Sequence, residues 1–329
     1  MSNPSDTSAE GQNIVCVILT EAGAAVGLGH LTRCVALYDA FEACGVSCEL
    51  VVAGEAPEHV VESRGVLLDD WRSSEAAALI TKDADIAVID SYHADLSTYR
   101  TVSETVAVPV YLDDTARIHY PRGFTVNGNP AAEKLSFARQ SDSCYLLGSR
   151  YQLLRPEFAG LDQRAIREEV ARVMIVSGGS DAAGMLSAVG AAVAAASPNI
   201  VLDVVDSPRT AAEMREAMLS ADIAVTAAGQ TLYELAATGT PAIAICVADN
   251  QVAQAKAFEE AGAITLAGTW GESDFLGRVQ SSLRTLSPAA PRRAMSAAAR
   301  NLVDGLGASR VASVCVDAAL RSRQTSGRT

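Results

Sequence analysis

Residues 27–30, Gly-Leu-Gly-His, end a glycine turn with a histidine. An imidazole titrates near neutral pH, so His30 is of a type that could take a proton from water. Glycines let the backbone approach a bound molecule closely, and the start of a helix offers free N–H groups and positive potential to an anion. The turn could therefore support general-base chemistry on a bound ligand. The plainer alternative is a histidine that only caps the helix or packs against it.

The segments on either side of this turn must hold His30 in place. Residues 14–20 form an unbroken apolar run of strand length, and apolar residues recur at three- and four-residue steps over 31–41. These patterns predict a buried strand followed by an amphipathic helix. Further strands are predicted at 49–53, 86–90, 110–112 and 145–147, and helices at 31–44, 73–81 and 96–106. This alternation predicts a parallel sheet with helices on both faces.

Polar residues follow the predicted strands at the edge where such sheets bind ligands. Asp90 is followed by Ser91, Tyr92 and His93, and the next strand ends at Asp113-Asp114. Ligands of open α/β sheets lie beyond the carboxyl ends of the strands. Each cluster alone could be an ordinary cap or turn. Together with the glycine turn, they favour a site at this edge.

A second α/β domain is predicted after residues 153–158, Leu-Leu-Arg-Pro-Glu-Phe, because proline forces the preceding residue out of helical conformation. We expect a charged helix at 163–170, after which the alternation resumes. Its strands are predicted at 173–176, 201–205, 223–226 and 242–245, and helices at 211–219, 232–238 and 251–261. The predicted organisation is a disordered leader (1–12), a first domain (13–154), a second domain with two terminal helices (155–323) and a frayed tail (324–329).

Two loops of the second half have the character of a nucleotide site. Residues 177–179 and 228–231 each end a strand and open a helix, where backbone N–H groups can hold a diphosphate. Glu234 lies one helical turn beyond Thr231, so its carboxylate could accept from both hydroxyls of a ribose. The alternative is a glutamate at the N3 position of a helix capped by Thr231. The predicted nucleotide-binding residues are Ser177, Gly178, Gly179, Asp181, Ala228, Gly229, Thr231, Leu232 and Glu234.

Asn250 and Gln251 open the next predicted helix. Paired amides at such a position are suited to binding sugar hydroxyls or amides. The alternative is that Asn250 only caps the helix.

Composition excludes several classes of protein. The net charge of −13 argues against nucleic acid as the main partner, because phosphate binding needs a basic face. No apolar run approaches the roughly 20 residues of a membrane span, and residues 1–12 lack the pattern of a signal peptide. We therefore expect a cytoplasmic protein without stable membrane association. The seven cysteines form no CxxC pair and no histidine or cysteine group completes a ligand set, so we expect no metal and no cofactor.

The chain resembles the family of nucleotide-sugar hydrolases of pseudaminic acid biosynthesis, which cleave UDP-2,4-diacetamido-2,4,6-trideoxy-β-L-altropyranose to free sugar and UDP. The resemblance runs from about residue 14 to 262. The blocks that carry it are 27–30 with Arg33 and Cys34, 88–92, 112–114, 147–148 with Tyr151, 153–158, 177–181, 229–234 and 250–251. The last two are shared with a wider group that includes the glycosyltransferase forming peptidoglycan lipid II. The chain departs from the family at 120–123 and 127–129, in the region expected to face the sugar.

This resemblance implies a GT-B fold, in which two Rossmann-like domains face each other across a cleft. The second domain would hold the uridine nucleotide and the first would face the sugar. His30 matches the proposed general base of the family and Glu234 the glutamate that should hold the ribose. Asp90 or Asp114 would orient His30 or bind sugar hydroxyls. The implied catalytic residues are His30, Asp90 and Asp114, and the implied sugar-binding residues are Gly27, Gly29, Arg33, Tyr92, Asn250 and Gln251.

The predicted reaction is hydrolysis of a UDP-sugar with inversion at C1, catalysed by a monomer. UDP is a good leaving group, and backbone N–H groups at 229–232 and 177–179 can stabilise its departing charge. One alternative is a GT-B glycosyltransferase, for which a basic or apolar membrane-docking face is expected; no cluster of Lys or Arg with aromatic residues marks one. Another is a nucleotide-sugar binding module without turnover. The joint presence of five polar residues argues against it: His30, Asp90, Asp114, Glu234 and Asn250.

Overall fold

The computed structural model describes residues 14–23, 26–135, 141–177, 184–197 and 199–327. They form two α/β domains, each built on a parallel sheet. The strands of the first domain are β1 (Val15–Ala22), β2 (Ser47–Gly54), β3 (Leu67–Leu68), β4 (Ile86–Asp90), β5 (Val108–Leu112), β6 (Gly123–Asn127) and β7 (Ser143–Leu147). Its helices are α1 (Gly29–Ala43), α2 (Glu58–Arg64), α3 (Ser74–Thr81) and α4 (Leu96–Thr105). The strand order is β3-β2-β1-β4-β5-β6-β7.

The second sheet has the order β12-β11-β10-β8-β9. Its strands are β8 (Arg172–Val176), β9 (Val201–Val205), β10 (Ile223–Ala227), β11 (Ala242–Cys246) and β12 (Thr265–Thr269). The helices that follow the first domain are α5 (Met185–Ala196), α6 (Ala211–Ser220), α7 (Gln230–Thr238), α8 (Val252–Glu260), α9 (Phe275–Leu286), α10 (Ala289–Leu302) and α11 (Gly307–Ser326). No helix within these described ranges is long and apolar enough to cross a membrane.

The centre of the first sheet explains why the polar clusters meet. Strands β1 and β4 are buried along most of their length, as expected when helices cover both faces. The two strands run parallel with Thr20 opposite Asp90. Their carboxyl ends therefore lie side by side, and α1 starts directly above this edge.

The segment 163–170 is not a helix, contrary to the sequence prediction. Arg164 donates hydrogen bonds to the carbonyl oxygens of Met218, Leu219 and Ala221 at 3.2, 3.1 and 2.6 Å. The last carbonyls of a helix have no partner within it. The guanidinium satisfies those at the end of α6, and this long-range contact outweighs the local helical preference.

The last helix does not belong with the second domain, contrary to the predicted boundary. Five small or apolar residues of α11 join the core of the first domain, at positions 308, 311, 312, 315 and 319. Arg323 near its end forms an ion pair with Asp85 at the start of β4, at 2.5 Å. The helix also continues to Ser326, past the predicted start of a frayed tail.

Candidate active site

His30 lies in the first turn of α1 and faces Asp90 at the end of β4. Its Nδ1 is 2.6 Å from Oδ1 of Asp90, and both residues are buried. Asp90 is one of two carboxylates that the sequence left as alternatives for orienting the histidine. Asp114, the other one, contacts Arg33 instead. The structure therefore pairs His30 with Asp90.

Three residues of α1 converge on the Asp90 carboxylate. Arg33 donates from Nε to Oδ2 at 2.5 Å and from Nη2 to Oδ1 at 2.6 Å, and the Cys34 thiol lies 3.5 Å from Oδ2. Together with His30 they occupy positions i, i+3 and i+4, which share one face of a helix. Arg33 also donates from Nη1 to Asp114. The guanidinium thus bridges the ends of β4 and β5.

Asp90 is ionised at neutral pH. Burial alone would raise its pKa, but the charge and hydrogen bonds of Arg33, together with the His30 hydrogen bond, hold the pKa of Asp90 well below its usual range. An ionised carboxylate accepts a hydrogen bond only from a protonated Nδ1, so in neutral His30 the lone pair is on Nε2. That tautomer is the one a general base requires.

Tyr92 covers the histidine from the side. The two ring centroids are 4.4 Å apart with an interplanar angle of 87°, an edge-to-face arrangement. Burial, followed by the charge of Asp114, raises the pKa of the Tyr92 hydroxyl, so this residue stays neutral at physiological pH. His30, Tyr92 and Asp114 all line the same cleft.

The cleft lies between the two domains and has a volume of about 240 Å³. Six of its lining residues carry side-chain amides, so it presents both hydrogen-bond donors and acceptors. From the first domain and the linker come Gly29, His30, Arg33, Tyr92, Asp114, Thr115, Asn129 and Gln152. From the second domain come Gly229, Gln230, Tyr233, Asn250, Gln251 and Gln254. The structure thus brings predicted residues of both halves to one polar site.

The amides of the cleft differ in their freedom to bind a ligand. Gln251 Oε1 accepts from Val247 N at 2.9 Å, and Gln254 Oε1 accepts from the Tyr233 hydroxyl at 3.1 Å. Asn250 makes no side-chain hydrogen bond to any described part of the chain and does not cap α8. Capping is therefore excluded as the role of Asn250, and its amide faces the cleft unpaired.

Glu234 is buried in α7 and paired with the linker. Its Oε1 accepts from Nη2 and Nε of Arg155 at 2.6 and 3.2 Å. Burial raises the pKa of Glu234, and the charge of Arg155 opposes that effect. Because α7 begins at Gln230 after Gly229, the interpretation of Glu234 as a partner of a Thr231 cap is wrong.

Other predicted residues take positions outside the cleft wall. Asp90, Thr231 and Glu234 lie beneath it, and Ala228 and Leu232 are fully buried. Only the backbones of the last two could meet a ligand. Gly27 lies in the exposed turn before α1 and Ser177 follows β8. Predictions for Gly178, Gly179 and Asp181 fall outside the described residues.

The two segments that depart from the family pattern, 120–123 and 127–129, differ in their position relative to the cleft. Asn129 lines the cleft, as expected for the segment 127–129. Tyr120 does not; it is buried and its ring stacks on Tyr111 at 5.0 Å. The expectation that 120–123 faces the sugar is therefore wrong. Tyr120 instead completes an aromatic core, Arg122 is exposed, and Gly123 begins β6.

Sequence reasoning missed several residues of the cleft: Thr115, Gln152, Gln230, Tyr233 and Gln254. Helical spacing could have found two of them. Tyr233 follows the predicted residue Gly229 by four residues, and Gln254 follows the predicted residue Gln251 by three; both spacings bring residues to one face of a helix.

Two parallel-sheet α/β domains with a cleft between them define a GT-B protein, as predicted. The chain is similar to the solved structure of Acinetobacter baumannii MurG, with a TM-score of 0.69 and 13% identity over 92% of this chain and 99% of that one. It is also similar to S. aureus MnaA in a co-structure with UDP, with a TM-score of 0.56 and 11% identity over 91% of this chain and 95% of that one. These likenesses show the fold.

No protein-family model matches the chain. In sequence, it is 27% identical over 266 residues to the Helicobacter pylori protein named pseudaminic acid cytidylyltransferase and UDP-2,4-diacetamido-2,4,6-trideoxy-β-L-altropyranose hydrolase. The match covers 74% of this chain and 47% of that protein. The chain thus spans about half the length of this relative.

Proposed function

We propose that the protein hydrolyses a UDP-linked 2,4-diacetamido-2,4,6-trideoxy hexose to the free sugar and UDP, in pseudaminic acid biosynthesis. The observation that carries this proposal is the hydrogen bond between His30 Nδ1 and Asp90, at a cleft that the second domain also lines. That hydrogen bond favours the tautomer of neutral His30 in which Nε2 can accept a proton. The name of the H. pylori relative supplies the substrate and the reaction. The GT-B fold is consistent with a nucleotide-sugar.

In the proposed reaction, a water oxygen attacks C1 of the sugar while Nε2 of His30 takes its proton. The bond between C1 and the phosphate oxygen breaks, and its electron pair leaves with UDP. Asp90 stabilises the imidazolium that forms, since it is already ionised and bonded to Nδ1. Attack from the face opposite to UDP inverts the configuration at C1.

The nucleotide would lie against the second domain. Helix α7 starts without a side-chain cap, so its first N–H groups can donate to the diphosphate and stabilise the departing charge. From the sequence alone, we propose the same role for residues 177–179. Both hydrogen bonds from Arg155 to Glu234 go to Oε1. Oε2, which accepts no hydrogen bond from the described residues, would bind a ribose hydroxyl.

The sugar would lie between the domains. The unpaired amide of Asn250 and the carboxylate of Asp114 are the polar groups that could bind acetamido or hydroxyl groups. Arg33 would keep Asp114 in place while it neutralises Asp90. Gly29 leaves room at the start of α1 for the sugar ring.

The decisive measurement is UDP release from a panel of UDP-amino-sugars in water alone, with the wild-type protein and His30→Ala side by side. We expect fast release from the diacetamido altrose compound and a loss of about 10³-fold in the variant. In H₂¹⁸O, one ¹⁸O atom should appear on C1 of the sugar and none in UDP. Tight UDP binding without release from any compound would overturn hydrolysis and favour a transferase, a second candidate that the glycosyltransferase fold supports.

A further inference from the structure

A second carboxylate is buried at the same sheet edge, and the mechanism above does not use it. Glu21, the penultimate residue of strand β1, is 1% exposed. Thr20 pairs in register with Asp90, so Glu21 lies beside Ser91. Side chains of successive strand residues leave on opposite faces. The Asp90 side chain therefore contacts α1 on one face of the sheet, whereas the Ser91 side chain contacts Glu21.

Within the described residues, the hydrogen bonds of the Glu21 carboxylate all go to three consecutive residues of the loop that follows β4. Its Oε1 accepts from the backbone N–H of Tyr92 at 2.6 Å. Its Oε2 accepts from the Ser91 hydroxyl at 2.9 Å and lies 3.0 Å from Nδ1 of His93. Among the described residues, no lysine or arginine forms an ion pair with it. A buried carboxylate of this kind is costly unless its oxygens are hydrogen-bonded, so the loop and the carboxylate stabilise each other.

Hydrogen bonds from other residues hold the rest of this loop in place. The Ser91 hydroxyl accepts from the N–H groups of His93 and Ala94, both at 2.9 Å. Arg117 donates to the carbonyl oxygens of Ser91 and Ala94 at 3.3 and 3.2 Å. Among the described residues, Glu21 is the side chain that accepts a hydrogen bond from the backbone N–H of Tyr92. The ring of Tyr92 in turn packs on His30.

We propose that Glu21 is a positioning residue, which acts through the backbone of Tyr92 to hold the tyrosine ring against His30. This proposal rests on the proposed function, because it takes His30 as the general base. The chain of contacts runs from Glu21 Oε1 to Tyr92 N at 2.6 Å and from the Tyr92 ring to the His30 ring at 4.4 Å. Asp90 thus holds the His30 ring directly through Nδ1, whereas Glu21 holds it indirectly, through Tyr92.

The first test needs no substrate. Diethyl pyrocarbonate acylates accessible neutral imidazoles, and peptide mass spectrometry gives the rate at each histidine. In Glu21→Leu, which fills the space but accepts no hydrogen bond, we expect His30 to react about fivefold faster than in the wild type, because the Tyr92 loop opens more often. Glu21→Gln keeps an oxygen that can accept from Tyr92 N–H, so its rate should stay close to that of the wild type. His119, which is exposed in the same chain, is the internal reference.

The second test is a double-mutant cycle on turnover. We expect Glu21→Leu to lower kcat about 10- to 100-fold with little change in UDP affinity. In a Tyr92→Ala background, the same substitution should cost almost nothing further, because the ring through which it acts is gone. An equal loss of kcat in both backgrounds would overturn the proposal, as would an unchanged His30 labelling rate in Glu21→Leu.

Asp85→Asn is the matched control. Asp85 directly precedes β4, at the opposite end of the strands of the same sheet. Its carboxylate also accepts a hydrogen bond from a backbone N–H, that of Val15, at 3.0 Å. Its loss should lower Tm without changing His30 labelling. If Glu21→Leu does not fold, Glu21→Asp keeps the charge and withdraws the oxygen from Tyr92, and should show the same faster labelling. If the wild type releases no UDP from any substrate, the proposed function fails while the labelling result still decides the role of Glu21.

Discussion

Arg155 of the interdomain linker and Glu234 of α7 form a mostly buried ion pair, with both hydrogen bonds on one carboxylate oxygen. The linker is therefore fixed to the helix whose first N–H groups face the cleft. Gln152 and Gln230 add a second connection, since Gln152 Nε2 donates to Gln230 Oε1 at 3.0 Å. The proposed nucleotide site at α7 and the path of the chain between the domains therefore share these residues.

The first prediction concerns the ribose. If Oε2 of Glu234 binds a ribose hydroxyl, the wild type should bind UDP about tenfold more tightly than 2′-deoxy-UDP or 3′-deoxy-UDP. Glu234→Ala should bind all three with similar, weaker affinity, as measured by calorimetry. Glu260→Gln, at an exposed position on α8, is the control. A Glu234→Ala variant that keeps the wild-type preference for UDP would contradict the assignment.

The second prediction separates base catalysis from binding. His30→Ala should lose about 10³-fold in kcat, because a general base typically contributes 10²- to 10⁴-fold. Its Kd for UDP should stay within a factor of two or so, since the proposed mechanism places the histidine at the sugar and not at the nucleotide. His119→Ala, at a residue that does not line the cleft, should keep full turnover. Equal losses of kcat and UDP affinity in His30→Ala would place the histidine at the nucleotide instead.

The third prediction is a pH dependence of stability. The pKa of Asp90 in the folded protein lies below the unfolded value of about 3.9. The unfolded state therefore takes up the proton first, and the stabilisation is complete above that value and lost as the pH falls through it towards the folded pKa. Asp90→Asn should be less stable than the wild type at pH 7 by about 3 kcal/mol.

Denaturant titrations at several pH values test this dependence. The difference between wild type and Asp90→Asn should shrink by about 1 kcal/mol from pH 5 to pH 3. Asp83→Asn, at a highly exposed side chain, should show no such trend. A difference that is constant across this range would mean that Asp90 does not carry the lowered pKa.

The fourth prediction distinguishes two neighbouring amides. Asn250 is unpaired at the cleft, whereas Gln251 accepts a hydrogen bond from Val247 N. Asn250→Ala should raise KM for the UDP-sugar about tenfold and leave Tm unchanged, because one ligand contact is lost. Gln251→Ala should lower Tm as well, since the loop before α8 loses a hydrogen bond. The reverse pattern would exchange the two roles.

Local patterns were sufficient for most of the scaffold. The apolar run of β4 was predicted with the bounds that the structure gives it, residues 86–90, because a buried parallel strand is continuous and short. The helix after the glycine turn was predicted from its apolar periodicity, although α1 begins at Gly29 and the prediction began at residue 31. Strand β6 was missed because its five residues include a glycine, a threonine and an asparagine, which give little apolar signal.

Contacts between residues far apart in the sequence could not be predicted from local patterns. Which aspartate faces His30 depends on the register of β1 with β4 and on how α1 crosses the sheet, and no local pattern encodes either. The partners of Glu21 and Glu234 are separated from them by 71 and 79 residues. The placement of α11 on the first domain likewise depends on the path of the whole chain.

That placement has a mechanical consequence. The polypeptide passes between the domains twice, once before β8 and once before α11, and the two passages touch: Gly160 N donates to Asp304 O at 3.3 Å, and Arg310 Nη1 to Arg150 O at 3.0 Å. A side chain at Gly305 or Gly307 would collide with the backbone of Phe158 or Gln152, so the contact requires glycine there. Two adjacent covalent tethers oppose torsion of one domain against the other and leave bending about a single axis as the soft degree of freedom.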